Sequence, residues 1–256
     1  MRRRSLPSDG SSRFDATPPE ARVTGYFVTF EGGEGSGKTT QIGLLAESLR
    51  QRGTDVVLTR EPGGSPGADA VRHVILSGAA EAFGPEVETM LFAAARIDHI
   101  AAVIRPALDA GKTVLCDRFH DSTRVYQGLA GVDPALLTAL EKAALGSVYP
   151  DLTIILDIPA EKGLGRAAAR RGPDTADRFE REGVTLHEAR RAAFLAIAAS
   201  EPDRCAVVDA SREPEVIARE IAFLVLDGVE RHRLARVGRA SADKSPAAPT
   251  LGEASA

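Results

Sequence analysis

Five short runs of this chain stand out as hydrophobic, and four of them have a near-continuous apolar core rather than an alternating one. They are Tyr26–Glu31 (YFVTFE), residues 55–59 (DVVLT), Thr113–Asp117 (TVLCD), residues 152–158 (LTIILDI) and Cys205–Asp209 (CAVVD). Each is rich in β-branched or aromatic residues. Near-continuous apolar cores read as strands buried on both faces, since a strand with one wet face would alternate. Between them the pattern lengthens to a helical period, over residues 39–52, 85–108, 133–145, 160–170, 185–200 and 213–229. Gly53 punctuates the end of the first helix, and the second opens on Pro85 and is interrupted by Pro106. The third opens on Asp133-Pro134, a capping acid followed by the residue favoured at the first helical position. Strand–helix alternation of this kind predicts one α/β domain, a doubly wound parallel sheet flanked by helices. Ligands in such sheets bind beyond the carboxyl ends of the strands, so strand-end residues have the first claim to chemistry.

The two ends of the chain break the pattern. Residues 1–24 start on Arg2, Arg3 and Arg4 and continue through Ser, Pro, Asp and Gly, without the apolar stretch of a secretory signal. A disordered extension is expected there, and a second disordered tail over residues 233–256, rich in Ala, Ser, Pro and Gly. Residues 25–232 remain as the domain.

Composition narrows the classes. With 256 residues, 43% of them hydrophobic, the chain can bury a substantial core without metal or disulfide staples. A net charge of −4 argues against general nucleic-acid binding, which rests on a basic surface. No apolar run approaches a membrane span. Cys116 and Cys205 both sit in apolar runs, so reduced thiols and a cytoplasmic location are expected.

The first strand leads into Gly32-Gly33-Glu34-Gly35-Ser36-Gly37-Lys38-Thr39-Thr40, which fits G-x-x-x-x-G-K-[ST]. Glycines let such a loop curl its backbone N–H groups towards phosphate oxygens, and the helix that follows adds its own unpaired N–H groups. Lys38 would reach the β- and γ-phosphates of a nucleoside triphosphate, and Thr39 would hold Mg²⁺ through its hydroxyl. Glu34 is out of character in this loop. A carboxylate facing a triphosphate is repelled, so it must point elsewhere, to a sugar hydroxyl, an arginine or solvent. The second strand ends in Arg60-Glu61-Pro62-Gly63-Gly64 and the third in DRFHDSTRVYQG, residues 117–128. Arg60 and Arg118 thus reach the same sheet edge as the cradle, and a guanidinium fork suits a second phosphate. Asp117, at a strand end, can join the Mg²⁺ shell.

The loop GGEGSGKTTQ, the segment REPGG, the run MLFAAAR (residues 90–96), DRFHDSTRVYQG, PDLTIILDIP (residues 150–159) and DRFE (residues 177–180) stand in the order and rough spacing of thymidylate kinases. The chain resembles that family over residues 25–229. The resemblance implies a P-loop nucleoside-monophosphate kinase fold with sheet order 2-3-1-4-5 and a lid, and phosphorylation of dTMP to dTDP by Mg-ATP, a step towards dTTP. It assigns Arg60 and Arg118 to the acceptor phosphate and Phe92 to stacking on thymine. It assigns Arg96 to hydrogen bonding the base, and Ser122, Tyr126 and Gln127 to lining base and sugar. Glu34 becomes the loop acid that faces the acceptor. The loop lacks an arginine, so the chain is similar to the bacterial type that supplies one from the lid. That lid is expected over residues 166–182, with Arg170 and Arg171 the arginines expected to act in it. The family also implies a homodimer. Another nucleoside-monophosphate or deoxynucleoside kinase would keep the cradle and change the base contacts. A P-loop switch protein would need no acceptor pocket at all.

Overall fold

Each expected strand forms, and every pairing between them is parallel. They are β1 (Tyr26–Glu31), β2 (Val56–Arg60), β3 (Thr113–Asp117), β4 (Leu152–Asp157) and β5 (Cys205–Asp209), in the order β2-β3-β1-β4-β5. The computed structural model describes residues 25–171 and 182–242. The helices are α1 (Lys38–Gln51), α2 (Pro66–Leu76), α3 (Gly84–His99), α4 (Arg105–Asp109), α5 (His120–Leu129), α6 (Pro134–Leu145), α7 (Ala160–Arg171), α8 (Val184–Ser200) and α9 (Pro214–Ala242).

β1 lies between β3 and β4, and all of its residues are buried. Its side chains alternate between two cores, as strand geometry requires. Tyr26, Val28 and Phe30 meet Ile42, Leu45 and Leu49 of α1 and Ile217, Ile221 and Val225 of α9. Phe27 points the other way, onto Ile100, Ile104, Leu108, Phe119 and Leu145. Truncating such a fully buried Phe costs about 3–5 kcal/mol, so both faces stabilise the sheet and fix where its strand ends point.

Three departures from the sequence pattern have physical causes. α2 and α5 were not expected. α5 (HDSTRVYQGL) has no apolar stripe, because it buries polar groups: Asp121 is fully buried on Arg204 at 2.7 Å and Arg124 at 3.3 Å. The helix over residues 85–108 is not interrupted at Pro106. It widens into a π turn at Ile100–Ile104, where the N–H of Arg105 donates to the carbonyl of Ile100, and the ladder passes a residue with no N–H to give. α9 runs on past residue 229 to Ala242, into the stretch read as a tail. His232 holds it there, edge-on to Tyr26 at 5.6 Å between ring centres and with Nδ1 3.5 Å from Asp151. The stretches at 1–24 and 243–256 lie outside the described residues.

Candidate active site

The loop between β1 and α1 forms a cradle of backbone. Gly37, at φ 91°, precedes the first turn of α1, and no side chain caps that helix, so its first N–H groups face the loop unclaimed by side chains. The Lys38 ammonium donates to the carbonyls of Gly32 and Gly33, 3.1 Å each. Burial and the nearby cation of Arg118 lower its pKa from the ordinary lysine value, against the pull of Glu34, Asp117 and Glu31. The Ser36 hydroxyl is buried in the loop with no hydrogen-bond partner among the described residues. A buried orphan costs free energy unless a ligand satisfies it, and a phosphate oxygen is an acceptor of the right kind. Thr39 Oγ1 donates to Asp117 Oδ2 at 3.0 Å, which brings two hard oxygen donors together at the loop's edge. Among the described residues no group of three His, Cys, Asp or Glu side chains could hold a metal ion alone. Two oxygen donors of this kind could serve Mg²⁺, which keeps waters and takes phosphate oxygens rather than a full protein cage.

α7 rests directly on this loop. A Cβ at Gly35 (φ 66°) would lie 1.9 Å from the carbonyl oxygen of Gly163, so only glycine allows the contact. The helix thereby brings Arg170 to the cavity described below. Arg166 instead donates to the Ala210 carbonyl at 2.8 Å. Of the expected lid, the Arg171 side chain and residues 172–181 lie outside the described residues.

Glu34 faces an arginine. Its Oε1 lies 2.5 Å from Arg118 Nη2 and accepts from the Tyr126 hydroxyl at 3.2 Å. Burial opposes its ionisation, but Arg118 and Lys38 outweigh burial and bring its carboxyl down to about 2. Arg118 itself sits at φ 67°, unusual for a residue with a Cβ, at a cost of about 1–3 kcal/mol. Its neighbours pin it. The Arg118 N–H donates to Phe30 O at 2.9 Å, and the Phe119 N–H donates to Glu31 Oε1 at 2.8 Å. Glu31 also accepts from the Ser122 hydroxyl at 2.7 Å. Burial pushes the Glu31 carboxyl up to about 7, against Arg118 and these hydrogen bonds. Tyr126 carries Arg118 at 5.2 Å and Arg190 at 4.2 Å from its ring centre, so the ring is gripped by cations.

Away from the loop, Arg60, Phe92, Arg96 and Gln127 line the same cavity of about 280 Å³. Arg96 is buried, with Nε on Glu61 Oε2 at 2.7 Å and Nη2 on Thr123 Oγ1 at 3.1 Å. Gln127 Nε2 donates to Glu88 Oε1 at 3.1 Å. One cavity thus joins the cradle, through Arg118, Ser122 and Tyr126, to an aromatic ring and an arginine.

The sequence of this chain matches the profile described as thymidylate kinase over residues 30–221. The chain belongs to the thymidylate kinase family. It is 55% identical to a thymidylate kinase of Nitrobacter winogradskyi over 207 residues, covering 80% of this chain and 90% of the relative. A thymidylate kinase of Bradyrhizobium sp. is 53% identical over 228 residues, covering 89% of this chain and 99% of the relative. The crystal structure of thymidylate kinase from Ehrlichia chaffeensis superposes with a TM-score of 0.63 at 34% identity, covering 79% of this chain and 98% of that one.

Against this family background, the cavity gathers most of the residues singled out from the sequence. Glu34, Gly35, Ser36, Gly37, Lys38 and Thr39 line it from the loop, with Asp117 and Arg118 beside them. Gly32, Gly33 and Thr40 do not line it; the first two lend carbonyls to Lys38, and Thr40 is exposed. The sequence reading passed over Glu61, Arg72 and Thr123, which also line the cavity, and Glu31, which holds its wall. Glu61 stands inside the REPGG segment, next to Arg60. Glu31 was hidden because it closes an apolar strand, where an acid reads as a strand end.

Proposed function

We propose that dTMP binds with its phosphate at Arg60 and Arg118 and its base between Phe92 and Arg96, while the loop residues 32–40 hold the triphosphate of ATP. The observation that carries this reading is the continuity of one cavity from Lys38 to Arg96. A switch protein has no use for the second half of it. The reaction is transfer of the γ-phosphoryl group to an oxygen of the dTMP phosphate. The second pKa of a phosphate monoester is about 6, so the nucleophile is already mostly deprotonated at neutral pH and no general base is needed. What remains is to hold two anions in line and spread the charge of the group in transit. Lys38 and Arg170 do this from the donor side, and Arg60 and Arg118 from the acceptor side. Thr39 and Asp117 would hold Mg²⁺, which supplies charge neutralisation on the β- and γ-phosphates.

Glu34 acts here by occupying Arg118 until the acceptor phosphate arrives, and by keeping the Tyr126 ring against the sugar. The ring then stands where a ribose 2′-hydroxyl would fall. No helix among the described residues is long and apolar enough to cross a membrane, and the reading places the enzyme in the cytoplasm. A homodimer fits the exposed apolar residues Val87, Met90 and Ile97 of α3, with exposed Phe83 just before that helix. Sedimentation of the purified chain at twice the monomer mass is the result expected.

A coupled assay of ADP release with dTMP, dUMP, UMP and dGMP tests the substrate. The thymine methyl is worth about 1–3 kcal/mol, so dTMP should exceed dUMP by roughly 10–200-fold in kcat/KM, with UMP and dGMP lower still. A preference for UMP or dGMP would contradict the reading.

A further inference from the structure

Behind Arg96 lies a buried chain of polar side chains that the reaction itself does not use. The Glu61 carboxylate, at the end of β2, accepts from two residues of α3 at once. Oε2 takes Arg96 Nε at 2.7 Å and Oε1 takes His99 Nδ1 at 3.0 Å. Those residues are three apart and so share one face of the helix. His99 is completely buried, and its Nε2 lies 2.6 Å from the Thr59 hydroxyl, two residues before Glu61. The imidazole is therefore bracketed between Thr59 and Glu61. A neutral ring satisfies both contacts, with Nδ1–H donating to the carboxylate and Nε2 accepting from the hydroxyl. The backbone is shaped around this contact. A Cβ at Gly64 (φ 91°) would fall 2.4 Å from Thr59 Oγ1 and 2.6 Å from His99 Nε2, so a side chain there would break the Thr59–His99 bond.

The consequence falls on Arg96. An arginine side chain is long and carries several rotamers, and here two of its nitrogens are committed, Nε to Glu61 and Nη2 to Thr123. Among the described residues Nη1 makes no hydrogen bond, and Arg96 lines the cavity. We infer that Glu61, backed by His99 and Thr59, is a positioning residue that fixes Arg96 so that the cavity selects a pyrimidine presenting a carbonyl oxygen over one presenting an amino group. An arginine only donates. Thymine offers an O4 acceptor where cytosine offers an N4 amino donor, so a guanidinium held still rewards the first and repels the second. A guanidinium free to swing would turn aside from the amino group and lose the discrimination. The inference rests on the Phe92–Arg96 end of the cavity being the base end.

The test compares dTMP with dCMP as acceptors, using the full-length chain with Mg-ATP, for wild type, Glu61→Gln, Arg96→Gln and the double variant. Glu61→Gln keeps the shape and one acceptor oxygen but removes the charge that holds Arg96. The expected result is a KM for dTMP raised about tenfold, the scale of one charged hydrogen bond, with kcat falling less and the KM for ATP unchanged. The dTMP-over-dCMP ratio of kcat/KM should fall by about the same factor. In the Arg96→Gln background, adding Glu61→Gln should leave that ratio where it was. A general loss of packing would lower kcat and both affinities together and would not touch the ratio. Should Glu61→Gln fail to fold, Thr59→Val removes only the far end of the chain and should lower the ratio to a smaller extent. If Arg96→Gln lowers the ratio and neither Glu61→Gln nor Thr59→Val does, Glu61 serves the fold alone and the inference is overturned. If Arg96→Gln itself leaves the ratio intact, the base end has been misplaced, and the inference falls with that reading.

Discussion

At the donor end of the cavity the groups that face a ligand are mostly main chain: the N–H groups of the loop and of the first turn of α1, with Lys38 and the unpartnered Ser36 hydroxyl among them. At the acceptor end they are side chains drawn from β2, α3, β3 and α5, already tied to one another by Glu61–Arg96 and Glu34–Arg118 contacts. Main chain needs only a fixed spacing of small residues to take its shape. Side chains need partners, and buried charges above all, because an unpaired one costs several kcal/mol. The donor end is therefore shaped by its own loop, whereas the acceptor end is shaped by the carboxylates that hold its arginines in place.

This contrast predicts different failures on the two sides. The largest is at Lys38. On the proposed reading Lys38→Ala removes a cation from the transferring group, so kcat should fall by about 10³-fold while the melting temperature holds within a few degrees. Retention of a tenth of the wild-type turnover would remove Lys38 from the reaction. Next is the arginine delivered by α7. Arg170→Ala should lower kcat by about 10²-fold and leave the affinity for dTMP nearly unchanged, as stopped-flow turnover and equilibrium titration would show. Loss of dTMP binding at intact turnover would move Arg170 to the acceptor side.

On the acceptor side, function and stability should fall together. Arg118→Ala strips the partner from Glu34 and from buried Glu31, and should cost about 3–5 kcal/mol of stability by urea unfolding besides weakening dTMP. An Arg118→Ala enzyme as stable as wild type would mean that the network is not holding this wall. The smallest effect is in pH. The Glu31 carboxyl stands at about 7 in the folded chain against 4.5 ordinarily, so the folded state binds the extra proton. Its contribution to stability accordingly declines as pH rises from about 4.5 to 7. Glu34 has the opposite sign: its carboxyl stands at about 2, so its contribution is complete above 4.5 and is lost only as pH falls towards 2. Glu31→Gln should therefore flatten the fall in melting temperature between pH 5 and 7.5. Identical slopes in the two proteins would show that Glu31 does not titrate there.

The same contrast explains what could be read from the letters. The strands were legible because β1 and β3 are buried on both faces and announce it in unbroken apolar runs, whereas their order in the sheet followed from the family resemblance. The loop was legible because a backbone cradle demands glycines at set positions. α5 was not, since it buries His120, Asp121 and Gln127 as readily as Val125, and its buried Asp121 is paired with Arg124 of the same helix and with Arg204 from outside it. Glu61 was in plain view beside Arg60, yet nothing local says that it meets Arg96, 35 positions away. Partners brought together only by the sheet leave no periodicity. Arg60 and Arg118 were legible as strand-end arginines beside the cradle, whereas Arg96 joined them only through family resemblance.

The division of the cavity into a donor end and an acceptor end is tested most directly by calorimetric titration of two ligands, dTMP and a non-hydrolysable ATP analogue with Mg²⁺, into Lys38→Ala and Arg96→Gln. The account predicts a crossed result. Lys38→Ala should lose affinity for the ATP analogue and keep dTMP affinity within a few-fold, while Arg96→Gln should weaken dTMP and leave the analogue alone. If each variant weakens both ligands to the same extent, the two ends are not separate sites, and the assignment of donor and acceptor along this cavity is wrong.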